Sequence, residues 1–289
     1  MKERTTFWQA ISRIDRRIVY IILLVVLIVP LVLSLGLSVK PLSNVTARVR
    51  QVYDQVDSLQ YTGRPLMISV DFDPASQGEL LPMLKAMLGH AFARNVRVIV
   101  LGMWPNGAGL ARRAIEETAH AMDKKNGVDY VFLGYKAGVD AVILGMGENI
   151  ANTFPRDGFG LSTADHPMMQ DIKKLSDIGF LVSLSAGTPG YTDWLLYAQA
   201  RYKVKMATGT TAVQAADAYP YLGTGQLLGI IAGMKGAAEY EVLVTQAELP
   251  QVSTPAVNAM DAQSFAQFAI IILVLIGNVG FFLSGRRRQ

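Results

Sequence analysis

The sequence predicts an α/β protein, with one doubly wound, mostly parallel sheet in a single domain held between two transmembrane helices. Three observations predict it. Short apolar runs alternate with helical stretches through residues 65–247, the order of a sheet whose strands are joined by helices. Those runs are rich in Val, Ile and Leu and barely alternate with polar residues, as strands buried on both faces do. Uncharged apolar runs of 22 and 20 residues stand at 18–39 and 265–284.

The first segment, 1–17, carries Lys2, Arg4, Arg13, Arg16 and Arg17. The run at 18–39 then matches the roughly 20 residues that a helix needs to cross a ~30 Å hydrocarbon core. It is longer than the apolar part of a signal peptide and no A-x-A site follows it, so it reads as an uncleaved anchor. The run at 265–284 is the second span, and the tail 285–289 closes the chain with Arg286, Arg287 and Arg288. Lys/Arg bias marks the cytoplasmic side, and Lys40 opposes it only weakly. Both termini are therefore expected in the cytoplasm of a cell-membrane protein, with the lipid bilayer as first partner and the central domain extracytoplasmic.

Net charge is +4, yet residues 41–264 hold 18 Lys/Arg against 21 Asp/Glu, 18 − 21 = −3. The basic excess lies at the membrane flanks, which argues against a nucleic-acid partner. There is no cysteine, which excludes thiol nucleophiles, Cys-ligated zinc and iron–sulfur clusters.

In the stalk, 40–64, Val45, Val49, Val52, Val56 and Leu59 recur at spacings 4, 3, 4, 3. This is the stripe of a short helix that packs on its own domain or forms a self-association seam. Strands are expected at 66–72, 96–103, 129–133, 141–144, 180–185 and 204–207, and helices at 77–94, 109–124, 166–178, 191–202 and 212–218. The arrangement is Rossmann- or flavodoxin-like. Residues 145–165 lack periodicity and read as a functional lid or contact surface, with a short helix within it as the alternative. In 223–241, Gly225, Gly229 and Gly233 fall four apart and predict a small-residue helix suited to close packing. Residues 248–264 read as a linker into the second span.

Ligands of open α/β sheets bind outside the carboxyl ends of the strands, where strand order reverses. The residues expected there are Asp71, Asp73, Trp104, Asn106, Ser185, Thr188, Thr208, Thr210 and Thr211. Helix N-termini nearby favour an anionic or polar ligand, while the same residue types serve turns and caps. No glycine spacing matches a P-loop or dinucleotide fingerprint, and no G-x-S-x-G elbow is present. His90, His120 and His166 share no metal-ligand spacing. His90 and His120 fall late in helices, where a cation offsets the dipole. His166 opens a helix and has Ser185 as a conceivable partner. No cofactor and no metal are expected.

The stretch "MISVDFDPA" resembles the first motif of haloacid-dehalogenase-like phosphotransferases, hhhhDxDx(T/V), over nine residues. That resemblance implies a Mg²⁺-dependent phosphohydrolase using Asp71 and Asp73. Ala75 stands in place of the Thr/Val, the second strand ends in Gly-Met-Trp, and the late acidic pair is missing. A competing account uses most of the same residues. Pro74 drives Asp73 out of the helical region, Ser76 and Glu79 form a capping box, and Asp71 either caps a backbone N–H or faces the cleft.

The expected function is that of a non-catalytic structural or scaffolding subunit of a membrane or envelope complex. Its partner is a second copy or another membrane protein. Ligand sensing at the strand-end cleft is the alternative, and the phosphohydrolase a third.

Overall fold

The computed structural model describes residues 16–34, 45–250 and 255–285. The chain divides into two compact units, Ser43–Val257 and, separately, Met1–Leu42 with Asn258–Gln289.

The first unit is an α/β domain. Its strands are β1 (Leu66–Asp71), β2 (Val98–Gly102), β3 (Tyr130–Tyr135), β4 (Phe180–Ser185), β5 (Met206–Thr210) and β6 (Ile230–Ala232). They form one all-parallel sheet in the order β3-β2-β1-β4-β5-β6. Every residue of β1, β2, β4 and β5 is buried, as the near-continuous apolar runs predict. Register aligns Asp71 with Ser185 and Ser185 with Thr210, so three neighbouring strands end level.

Helices cover both faces. The helices of this unit are α2 (Ala47–Ser58), α3 (Gln77–Ala93), α4 (Pro105–Ala121), α5 (Val139–Glu148), α6 (Ile150–Thr153), α7 (Tyr191–Trp194), α8 (Ala200–Tyr202), α9 (Ala215–Gly223) and α10 (Gly233–Gln246), with α1 (Arg16–Ser34) and most of α11 (Pro255–Gly285) in the other unit. Met67, Ile99, Leu181 and Met206 pack one sheet face against Val142, Ile143 and Met146 of α5 and against Trp194, Leu195 and Ala198. On the opposite face Gly209 lies under Met83 of α3. α7 and α8 are joined by the wider turns Leu195–Gln199.

Several elements differ from expectation. Residues 141–144 belong to α5, not to a strand. Val142, Ile143 and Met146 are buried on one side of a helix entered through Gly138 at φ 92°, and a short apolar run does not by itself separate the two structures. The expected helix at 223–241 is a turn, then β6, then α10. Gly225 (φ 72°) and Gly233 (φ 59°, the first residue of α10) adopt left-handed backbone that a helix interior excludes, and Gly229 gives close approach to α2. Residues 166–178 hold only short 3₁₀ turns. The segment 145–165 contains the end of α5, then α6, the short helix that the sequence allows there, and a loop gathered by Asp157, which accepts from Phe159 N and Leu161 N.

In the stalk, Val49, Val52, Val56 and Leu59 are buried against the domain, while Val45 is half-buried. A Cβ on Gly229 would lie 2.5 Å from Val52 Cγ2, so the bare glycine lets α2 settle on the start of β6. Asp57 of α2 accepts from Arg94 Nε (2.6 Å) and pairs with His90 Nε2 (3.2 Å). Burial lowers His90 to about 4, so it is neutral and not the dipole-compensating cation that its late helical position predicts. A carboxylate only accepts, so His90 donates from Nε2 and accepts a hydrogen bond from the Tyr240 hydroxyl at Nδ1 (2.9 Å).

In the second unit, the stretch Pro255–Val279 of α11 is long and apolar enough to cross a membrane. It is the one such helix among the described residues, and Phe268, Ile271 and Leu275 are exposed along it. α1 has 19 residues and exposes Ile21, Leu24 and Val25. The expected span 18–39 continues past Ser34 into positions outside the described residues, as do the basic segments 1–15 and 286–289.

Candidate functional site at the carboxyl edge of the sheet

Strand order reverses between β1 and β4, so the crevice outside their carboxyl ends is the place to look for a ligand site. Two rows of polar residues run across the sheet face there. Ser69, Ser183 and Thr208 form the inner row and Asp71, Ser185 and Thr210 the outer, in register and all 0 % exposed. Residues two apart on a strand share a face, so all six point to the α7 side.

Asp71 is the centre of this array. Its Oδ1 accepts from Ser69 Oγ (2.7 Å) and Met103 N (2.9 Å), and its Oδ2 from Ser183 Oγ (3.0 Å) and Trp194 Nε1 (3.3 Å). Burial pushes its carboxyl up to about 6, and the four donors pull it back toward its ordinary value. Of the two expected roles, Asp71 takes the internal one, binding the β2 exit, β4 and α7 to the end of β1.

The mouth of the crevice is occupied by protein as well. Trp104, at the β2 exit, donates from Nε1 to Pro189 O of the β4 exit (2.7 Å), bridging the end of β1. Its ring lies against Gly187, where a Cβ would stand 3.2 Å from Cζ2. Trp194 is fully buried beneath. Ser185 Oγ accepts from Tyr191 N (3.5 Å), and Thr208 Oγ1 donates to Ser183 O (2.8 Å).

Asp73 does not join Asp71. Its Oδ1 accepts from Ala75 N (3.1 Å) and Ser76 N (3.3 Å), the turn that its place before Pro74 predicts. The capping box does not form. Ser76 sits at φ −98°, ψ −3° with no side-chain cap, and Glu79 Oε2 instead accepts from Ala212 N (2.8 Å) in the loop after β5. The oxygens that a phosphohydrolase needs on Asp71 and Asp73 thus have other partners. No group of three or more His, Asp or Glu suited to a metal occurs among the described residues. Asn106 and Thr188 are exposed and Thr211 half-buried. His166 Nε2 pairs with Asp157 Oδ2 (2.8 Å) rather than with Ser185.

Two atoms at this edge stand apart. Thr210 Oγ1 and Gln214 Oε1 are buried without a hydrogen-bond partner among the described residues. Gln214 reaches the same Gly187 that Trp104 covers, its Nε2 lying 3.9 Å from the position of a Cβ there.

Sequence reasoning missed Ser69 and Ser183. Their signal was present as hydroxyls two positions before Asp71 and Ser185 in otherwise apolar strands. It also missed the buried glutamates of α10. Glu239 Oε2 accepts from Thr46 N (3.0 Å) and Thr46 Oγ1 (2.7 Å) at the start of α2. Glu241 accepts from Ala256 N (3.2 Å) and Val257 N (2.9 Å) in the first turn of α11.

Comparison of the chain with protein-family models, with curated proteins and with solved structures returns no match.

Proposed function

We propose that this chain is a membrane protein anchored at both ends, whose Rossmann-like domain lies outside the cytoplasm as a non-catalytic structural subunit of an envelope complex. The observation that carries the reading is the filled crevice. Asp71, the group best placed for chemistry, spends its acceptor capacity on four internal donors beneath two indoles. Further support comes from the apolar residues exposed on α1 and α11, a surface that lipid or partner helices cover. Topology is tested by single cysteines in this cysteine-free chain, probed with a membrane-impermeant maleimide on intact cells. Val213→Cys, at an 89 % exposed position of the domain, labels at once, and Thr5→Cys and Gln289→Cys label only after lysis. Labelling of the tails before the domain overturns the topology.

The unpaired Thr210 Oγ1 and Gln214 Oε1 favour a second reading, in which a small polar ligand binds at the same edge. Thermal-shift screening of the full chain with sugars, amino acids and nucleotides tests it. A ligand that raises Tm in wild type and not in Thr210→Val supports it, and uniform silence removes it.

A further inference from the structure

We propose that the opposite, amino edge of the sheet carries a binding site for a phosphate-bearing ligand. The site lies in a depression between the end of α2 and the starts of β4 and β5. The depression is about 220 Å³. At ~30 Å³ per water it holds on the order of seven waters, room for a phosphate group and a few attached carbons.

Charge points to the ligand. Arg64, Lys203 and Lys205 line the depression and no carboxylate does, in a domain that is otherwise net acidic. Neither lysine's ammonium group has a hydrogen-bond or ion-pair partner among the described residues, their backbones being engaged with Gln199 O and Leu181 N. Arg64 is fixed by donating to the backbone carbonyls of Ser176 and of Asp177 (3.2 Å from Nε), so its guanidinium is held in place before a ligand arrives. The two acids that line an adjoining depression with Arg64, Asp171 and Asp177, are already engaged. Asp177 Oδ2 accepts from Lys173 N (2.9 Å) and Lys174 N (3.0 Å), and Asp171 is paired with Arg97 (2.7 Å).

The backbone is shaped to the same end. Lys203 closes α8 in left-handed conformation (φ 55°), which turns the chain so that Lys203 and Lys205 both border the depression. Gly179 also lines the depression. A Cβ there would lie 2.5 Å from Leu59 Cδ2 and 2.8 Å from Arg64 Cβ, so the missing side chain lets the stalk end and Arg64 close over β4. The proposal is independent of the scaffolding reading.

The phosphate belongs either to a soluble compound or to a lipid headgroup, and two probes separate them. Full-length protein in neutral detergent is titrated calorimetrically with inorganic pyrophosphate and with short-chain phosphatidylglycerol. The variants are Lys203→Asn with Lys205→Gln, asparagine being tolerant of the left-handed position, and a control with the same charge change, Lys173→Gln with Lys174→Gln. Wild type binds at least one probe, the first pair of changes weakens it at least tenfold, and the control stays within twofold. Tighter binding of pyrophosphate assigns a soluble ligand and tighter binding of the lipid a headgroup. If the paired variant does not fold, Lys205→Gln alone carries the test, with a fewfold loss expected. No binding of either probe, or an equal loss in the control, overturns the proposal.

Discussion

Asp71 keeps its carboxylate inside the sheet with four donors and no ion pair among the described residues. Its replacement by Asn leaves one acceptor where there were two and sets an amide N–H₂ against hydrogen-bond donors. Asp71→Asn is expected to cost about 1–3 kcal/mol, the range for a buried polar group left unsatisfied. The pH dependence has a definite sign. The folded carboxyl is raised to about 6 from an ordinary 3.8, so between those values the folded state holds more protons than the unfolded state. Stability from this group is fully present below the unfolded value and is lost as pH rises through 6. His90, lowered to about 4, works in the opposite sense, gaining stability as pH rises from there to its ordinary 6.5. The comparison that isolates Asp71 is the difference in Tm between wild type and Asp71→Asn, which narrows as pH goes from 4 to 6.5. A difference independent of pH contradicts the assignment.

At the scale of elements, α10 joins what the chain separates. Its buried Glu239 holds the first residue before α2, and its buried Glu241 holds the first turn of α11. Both supply acceptors to helix N-termini, where backbone N–H groups lack intrahelical partners. Burial pushes Glu241 up to about 7, against the hydrogen bonds from Val257 and Ala256. Glu241→Gln replaces two acceptor oxygens by one, at a cost of about 1 kcal/mol typical of a lost cap. Hydrogen exchange at Ala256 and Val257 is then expected to quicken about fivefold, and unchanged exchange there rules out the capping role. The stalk adds apolar adhesion, since burying Val49, Val52 and Val56 stabilises by about 1.5–3 kcal/mol each on transfer grounds.

These contacts also show where sequence pattern stops informing. The strand at 180–185 and the helix starting at Gln77 were legible because long, uniform apolar or helical patterns leave one solution. Ile230–Ala232 was not, because three residues between glycines carry no period, and the spacing of Gly225, Gly229 and Gly233 imitates a helical groove. Ser76 and Glu79 have the spacing of a capping box, but Asp73 satisfies the Ser76 N–H and Ala212 engages Glu79 from 133 residues away. Tertiary partners of that kind leave no local mark. Asp71 was legible as a residue of consequence, and its role was not, because Ser183 and Trp194 reach it only through the fold.

For the molecule as a whole, the domain has the strand order in which other sheets open a ligand crevice, and fills that crevice with its own indoles and hydroxyls. α1 and α11 meanwhile expose apolar residues, and within the domain's own unit the two glutamates of α10 hold Thr46 and the first turn of α11. The most direct test is the mass of the particle released from membranes in a mild detergent, measured by mass photometry after detergent dilution. A scaffolding subunit gives a particle well above the 31.5 kDa of one chain plus its micelle, made of several copies or of this chain with a co-purifying membrane protein. A lone chain in its micelle, with no partner recovered, contradicts that role.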